Sequence, residues 1–427
     1  MNSNEIYVSL DIGTSSVKVI IGEMVNDSLN IIGVGNVKSE GLRKGSIVDI
    51  DETVHSIKSA IEQAERMIGM EINQVIVGIT GNHVSLQPCH GVVAVSSENR
   101  EITNDDVSRV IENARVISIP PEREIIDIID KQYIVDGQDE IENPRKMIGV
   151  RLEMEGSIIT GSKTILYNTL RCVERAGLEI IGFTLQPLAA GEFALSKDEK
   201  RLGVALIDIG GGTTTVSVFQ DGFLLATSLI PLGGEHITND LAKVLETSTK
   251  DAENIKIQYG HAFYDDASET EVFSVPIIGS DQHQQFNQLE VAEIIEARLE
   301  EIFELVQVEL KKMGIRDLPG GFVLTGGVTN MQGVLELAKD IFQIRVRIAI
   351  PDYIGVREPQ YTTAVGLIKY AYENARLQGQ QIEPSVKVAQ VKEKRVVKQP
   401  QQKSKPEKLS EEKMTSKVKK FFGYFFE

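Results

Sequence analysis

Two widely separated stretches carry one pattern. IYVSLDIGTSSVKVIIGEM (Ile6–Met24) lines up with VALIDIGGGTTTVSVFQDG (Val204–Gly222). Each is a short apolar run, then Asp-Ile-Gly, then small hydroxyl residues, then a second apolar run. That is how a β-hairpin with a chemically equipped turn reads. The matching aspartates, Asp11 and Asp208, lie 197 positions apart. A chain that opens two halves with the same hairpin is constrained to a duplicated domain with a cleft between the copies.

Up to about residue 380, short Val/Ile-rich runs alternate with longer helical patterns, which predicts an α/β fold. No apolar run reaches the ~18 residues that a membrane-spanning helix needs. Cys89 and Cys172 match no metal or redox spacing. MNSNEIYVSL leads almost directly into the first strand without a secretory apolar region, so the expected compartment is a reducing cytosol. The net charge is −17. Residues 386–427 hold 12 Lys+Arg against 5 Asp+Glu, a charge of +7, which leaves −24 on residues 1–385. An acidic body argues against nucleic-acid binding and marks the basic end as a separate module.

The turns suit phosphate. Gly13 admits close approach, Thr14, Ser15 and Ser16 offer hydroxyls and backbone N–H groups, and Lys18 points the same way as Ser16. Gly210, Gly211, Gly212, Thr213 and Thr214 can clamp the same phosphates from the other side. Asp11 and Asp208 end strands facing that space and can hold Mg²⁺, through water because Mg²⁺ keeps its hydration shell. Taken singly, either turn is also what an ordinary tight hairpin needs; the repetition favours the ligand. FVLTGGVTNM (Phe322–Met331) adds a third cluster, an apolar strand ending at Gly326 and Gly327 before an expected helix start. There the backbone can approach a base or ribose.

In that order, DIGTSSVK, DIGGGTTT and LTGGV resemble the two phosphate loops and the adenosine loop of the actin–Hsp70–sugar kinase superfamily. LQPLAAGEFAL (Leu185–Leu195) resembles its first interdomain connecting helix, and YTTAVGLIKYA (Tyr361–Ala371) the second. AENIKIQYG (Ala252–Gly260) resembles the helix that brings a Glu and a Lys to the ribose, here Glu253 and Lys256. The resemblance implies an actin-like fold that binds ATP with Mg²⁺, with Gly234 among the nucleotide-side residues. Catalytic roles implied for Gln186, beside the attacking water, and for Asp208 come with at most slow hydrolysis; the helix of Gln186 equally reads as a hinge. The implied partition is a first domain of 1–82, 163–203 and 361–380, an inserted α+β subdomain at 83–162, and a second domain at 204–360. The second domain carries an outer lobe at about 240–315. A disordered linker at 381–412 and an amphipathic helix at 413–427 follow.

The terminal KVKKFFGYFFE places four of the 14 phenylalanines in the last seven residues. On a helical wheel Met414, Val418, Phe421, Phe422, Phe425 and Phe426 share a face roughly 140° wide, flanked and opposed by Lys417, Lys419 and Lys420. That layout fits a helix lying in a membrane interface, rings among acyl chains and ammonium groups at anionic headgroups. Docking on the protein's own core or on a partner groove is the other reading. Gly423 weakens the isolated helix by about 1 kcal/mol, so it is expected to form on contact.

The insertion runs as strand, capped helix (Thr103 or Asn104 before DDVSRVIENA), proline pause and strand. Its place and size, with the tether and terminal helix, resemble the FtsA family of bacterial cell-division proteins. The resemblance implies an ATP-binding protein that polymerises under the membrane and anchors the FtsZ ring at the division site, with other division proteins as further partners. It also implies that the FtsZ C-terminal peptide docks near 285–313, where Arg298 can pair with an acidic group. Arg298 equally reads as a solvated arginine among Glu296, Glu300 and Glu301. Two alternatives stay open at this point. One is an actin-like pilus-assembly scaffold, against which the Phe-rich end counts, and the other a small-molecule kinase of the same superfamily.

Overall fold

The computed structural model describes residues 5–280, 282–378 and 386–387. Apart from the two-residue strand Val386–Lys387, paired with Glu71–Ile72, the expected linker and terminal helix lie outside these residues. The described residues of 1–86, 119–127 and 159–386 form one compact unit, and those of 87–118 and 128–158 form a second.

In the larger unit the duplication becomes topology. Strands Glu5–Ile12, Ser16–Val25 and Ser28–Lys38 form an antiparallel meander, and Gln74–Ile79 and Glu179–Leu185 add in parallel on the open side of the first strand. Val204–Ile209, Thr214–Gln220 and Phe223–Ile230 repeat the meander, with Gly321–Thr325 and Val346–Ile348 as the two parallel strands. Parallel neighbours need crossovers, and helices supply them. Ile50–Ile68 precedes Gln74–Ile79, starting where the Asp49 carboxylate accepts from the amides of Asp51 and Glu52 and stopping at left-handed Gly69. Its Val54, Ile57, Ala60, Ile61 and Ala64 recur at helical spacing and are buried.

Two helices follow the last strands of the sheets. Gln186–Ala194 comes directly after Glu179–Leu185, and Thr362–Gln378 follows Val346–Ile348. They meet where Gly366 lies against the Ala189 backbone. The last helix sinks Ala364, Val365, Leu367 and Ile368 among Tyr7, Ile20, Met24 and Ile76 of the first sheet. A second core, built on Ile207, Val216, Ile295, Phe303 and Phe342, holds the other half.

The smaller unit holds most of the residues of strands Gln138–Ile141, Arg123–Val135, Arg151–Ser162 and Ser85–Ala94, which pair in that order, and the helix Asn104–Ala114. Of the two expected caps, the structure uses Thr103: its hydroxyl accepts from the Asp106 amide while the Asp106 carboxylate accepts from the Thr103 amide. Burial alone would raise the Asp106 carboxyl, but hydrogen bonds from Thr103 and Ser96 and the Arg109 guanidinium hold it well below the ordinary range.

One local expectation changes. After Thr325 the chain makes a short 3-10 turn, Gly327–Asn330, and the helix begins only at Val334. Gly326 and Gly333, both at positive φ, set off that turn from strand and helix.

Candidate functional site

Each hairpin turn closes on its own backbone: Gly13 N donates to Ser16 O at 3.0 Å, and Gly210 N to Thr213 O at 2.9 Å. The turns then meet across the two halves. A Cβ on Gly211 would stand 1.6 Å from Ser15 Oγ, and one on Gly212 2.7 Å from Thr14 Cγ2. Only glycine backbone permits that approach. Thr14 Oγ1 also accepts from the Gly45 amide at 3.2 Å, which braces the first turn. Behind the second turn, helix Gly234–Val244 points its N-terminus at the loop, Gly234 N donating to Gly210 O and Glu235 N to Gly211 O. An N-terminus so placed favours an anion nearby.

The charged centre sits below. Asp11 and Lys18 face each other across the first hairpin register, with Nζ 3.5 Å from Oδ2 and both side chains almost buried. Gln186, first residue of its helix, donates Nε2 to Asp11 Oδ1 at 2.6 Å. Asp208 is the last but one residue of the matching strand, and Thr363 of the last helix donates to its Oδ2 at 3.4 Å. Burial first, then repulsion from Asp11, pushes the Asp208 carboxyl up to about 6 against the opposing pull of Lys18 and Thr363. Asp208 keeps an accessible edge even though protein atoms crowd it on the other sides. Gly326, at φ 94°, leaves no room for a side chain, since a Cβ there would stand 2.4 Å from Asp208 Oδ1.

The raised value carries a sign. Folding favours the protonated Asp208, so its contribution is present below the unfolded value near 4 and lost as pH climbs through about 6. Asp208→Asn fixes the neutral state. Without ligand it should therefore unfold later than the wild type at pH 8, by on the order of 2 kcal/mol after allowance for the accessible edge, with the gap closing toward pH 4. Unfolding midpoints of both proteins from pH 4 to 8 check this; a constant offset would contradict the assignment.

Lys256 and Glu253, on helix Thr249–Tyr259, come together behind Gly234. Lys256 Nζ donates to Gly234 O at 3.1 Å, to Thr238 Oγ1 at 2.8 Å and to Glu253 Oε2 at 2.7 Å. A Cβ on Gly234 would touch Val328, just past Gly327, which ties the third glycine cluster to the other two. Ser16, Thr213 and Gly327 lie in these turns through their backbone.

Thr214 is the departure. Its side chain is buried and its hydroxyl donates to Leu232 O at 2.9 Å. Thr214 pairs with Ile209, whereas Thr215 pairs with Asp208. Alternation along the strand therefore turns Thr215, not Thr214, to the Asp208 face. Thr215 and Thr363 were not among the expected residues. The first was hidden because TTTVSV gives no alternation to read, and the second because it lies 155 positions from Asp208.

Arg298 stands elsewhere, on helix Gln288–Lys312. It makes the expected i,i+3 ion pair, Nη1 binding Glu301, and an unexpected one, Nε binding Asp240 Oδ2 of helix Gly234–Val244 at 2.6 Å. With Asp240, Lys243, Val244, Ile294, Ala297 and Glu301 it lines a groove of about 280 Å³. Val244 is exposed at the groove. Met414, Val418, Lys419, Lys420, Phe421, Phe422, Phe425 and Phe426 lie outside the described residues. Among the described residues no helix is long and apolar enough to cross a membrane, and no cluster of three or more His, Cys, Asp or Glu forms a metal cage.

Residues 205–366 match the family description "Cell division protein FtsA", and residues 81–160 match "SHS2 domain inserted in FTSA". The chain is 65% identical over 382 residues to the cell division protein FtsA of Bacillus subtilis (strain 168), covering 90% of this chain and 87% of that protein. Among solved structures, a PilM–PilN type IV pilus biogenesis complex aligns with a TM-score of 0.59 at 17% identity, over 84% of this chain and 97% of that one. MreB5 of Spiroplasma citri bound to ADP aligns with a TM-score of 0.53 at 17% identity, over 87% and 99%. At such identities the structures bear on fold alone, and that fold is actin-like.

Proposed function

The chain belongs to the FtsA family of cell-division proteins, and on that premise we propose that it clamps ATP between its two Asp-Ile-Gly turns and, as a polymer, ties FtsZ to the membrane. The observation that carries the nucleotide part is the meeting of the two turns, Ser15 against Gly211, above Asp11, Lys18 and Asp208. Backbone amides and hydroxyls of 14–16 and 211–213 then take the phosphates, with Gly13 and Gly210 closing the turns, Glu253 and Lys256 the ribose, and Gly326–Gly327 the base side.

The residues fit Mg²⁺ carried by a nucleotide. Burial, with repulsion from Asp11 added, pushes the Asp208 carboxyl toward neutrality, and the cation paired in the centre, Lys18, is bound to Asp11. The metal would supply charge neutralisation at the phosphates, held mainly by phosphate and water with Asp11 and Asp208 on its protein side. Gln186 gives one N–H to Asp11 and retains a second N–H and its carbonyl to orient a water, which supports slow hydrolysis at most.

The groove at Arg298 is our reading of the FtsZ peptide site, because an acidic peptide can compete with Asp240 and Glu301 for the guanidinium. The basic, Phe-faced segment 413–427 supplies the membrane contact. Membership in a cell-division family disfavours the pilus-scaffold and kinase alternatives. One reconstitution tests the whole: FtsZ should pellet with anionic vesicles only when this chain and Mg·ATP are present. Arg298→Glu places a third carboxylate beside Asp240 and Glu301 and should cut FtsZ recovery at least about tenfold while the chain itself still pellets. FtsZ pelleting that ignores the chain would sink the bridging role, and recovery unchanged by Arg298→Glu would move the peptide elsewhere.

A further inference from the structure

The nucleotide reading leaves one residue over. Glu235, second in helix Gly234–Val244, is exposed. It reaches across the meeting of the two turns, where Ser15 Oγ donates to its Oε1 at 3.4 Å. Among the described residues Glu235 has no other side-chain partner. The nearby ammonium groups are already taken: Lys18 by Asp11, and Lys256 by Gly234 O, Thr238 and Glu253. Its backbone N–H is tied to Gly211 O at 2.7 Å, which fixes the residue against the second turn. A carboxylate thus occupies the end of a helix that favours an anion, and accepts the hydroxyl that a phosphate would need.

We propose that Glu235 makes phosphate binding at this site conditional on a divalent cation, standing in for the anion between the turns and repelling a nucleotide that arrives without metal. The inference rests on the nucleotide reading above. A phosphate oxygen that takes Ser15 as donor must pass within a few ångströms of Oε1. Two like charges at such a distance in a partly exposed site weaken binding by on the order of tenfold. A metal-bearing polyphosphate brings less net charge and can offer Glu235 the cation it lacks.

The test compares ATP affinity of the full chain in EDTA and in Mg²⁺, by calorimetry or displacement of a fluorescent ATP analogue. Glu235→Gln is isosteric and should tighten metal-free ATP about tenfold while changing Mg·ATP less than threefold. Glu235→Asp keeps the charge and should keep the wild-type metal dependence. Metal-free affinity unchanged in Glu235→Gln overturns the inference, as does Glu235→Asp behaving like the Gln variant, which would make the effect one of shape. If the wild type binds ATP in neither buffer, the nucleotide reading falls and takes this inference with it. Binding with the Glu235→Gln effect absent removes this inference alone.

Discussion

Truncation after Lys413 is expected to abolish co-sedimentation with anionic vesicles while Mg·ATP affinity stays within about twofold of the full chain. Residues 414–427 hold four phenylalanines, and their partial burial among acyl chains is worth roughly 4–8 kcal/mol gross. Each lysine near an anionic leaflet adds about 1 kcal/mol. Ordering the segment takes back part of this, more so with Gly423 inside it, so one copy holds only moderately. Multivalency changes the scale. Copies in a polymer share the surface, and each bound tail raises the effective concentration of its neighbours. Binding should therefore rise steeply with protein concentration and fall with salt, because the lysine contribution is screened. Replacing Phe421 and Phe425 with Ser should reproduce most of the loss without shortening the chain. Vesicle pelleting by the truncated protein would mean that the Phe-rich face docks on protein instead.

Gly211→Asp should lower ATP affinity at least about a hundredfold. Two effects add. The new Cβ would stand 1.6 Å from Ser15 Oγ and 2.8 Å from its Cβ, so the Ser15 hydroxyl must turn away and the turns must ease apart slightly, and the new carboxylate would sit where phosphate is expected. Separation alone is the smaller effect, and Gly211→Ala isolates it; that variant should keep more affinity than the Asp one. Asp208→Ala removes the second carboxylate without touching the turns and should also lose ATP. Calorimetry on the three variants, with unfolding midpoints to confirm that each is folded, decides the matter. ATP bound as tightly by Gly211→Asp and Asp208→Ala as by the wild type would falsify the site.

Much of this was legible along the chain. The two hairpins showed because each packs its turn chemistry between apolar strands, and both strand pattern and glycine turn are properties of near neighbours. Thr103 was one of two candidate caps for the same reason, since a capping box spans only four residues. Which face Thr214 and Thr215 take was not legible because their strand is largely buried, and a strand covered on both faces shows no alternation to orient it. Arg298 read as a solvated arginine or a docking residue; its partner Asp240 lies 58 positions earlier on another helix, which no local spacing reveals.

The duplicated hairpin and the acidic body with its basic end were legible in the sequence alone. Each hairpin shows in near neighbours, while the duplication and the charge split show only when distant stretches are compared along the chain. Only the tertiary structure shows that Ser15 meets Gly211, that Glu235 takes the Ser15 hydroxyl, and that burial and the nearby Asp11 push the Asp208 carboxyl up to about 6 against the pull of Lys18 and Thr363. Those contacts join residues 155 to 220 positions apart. Helices Gln186–Ala194 and Thr362–Gln378 pack against each other and on the first sheet, and the distances such packing sets fix which charges a site can bear.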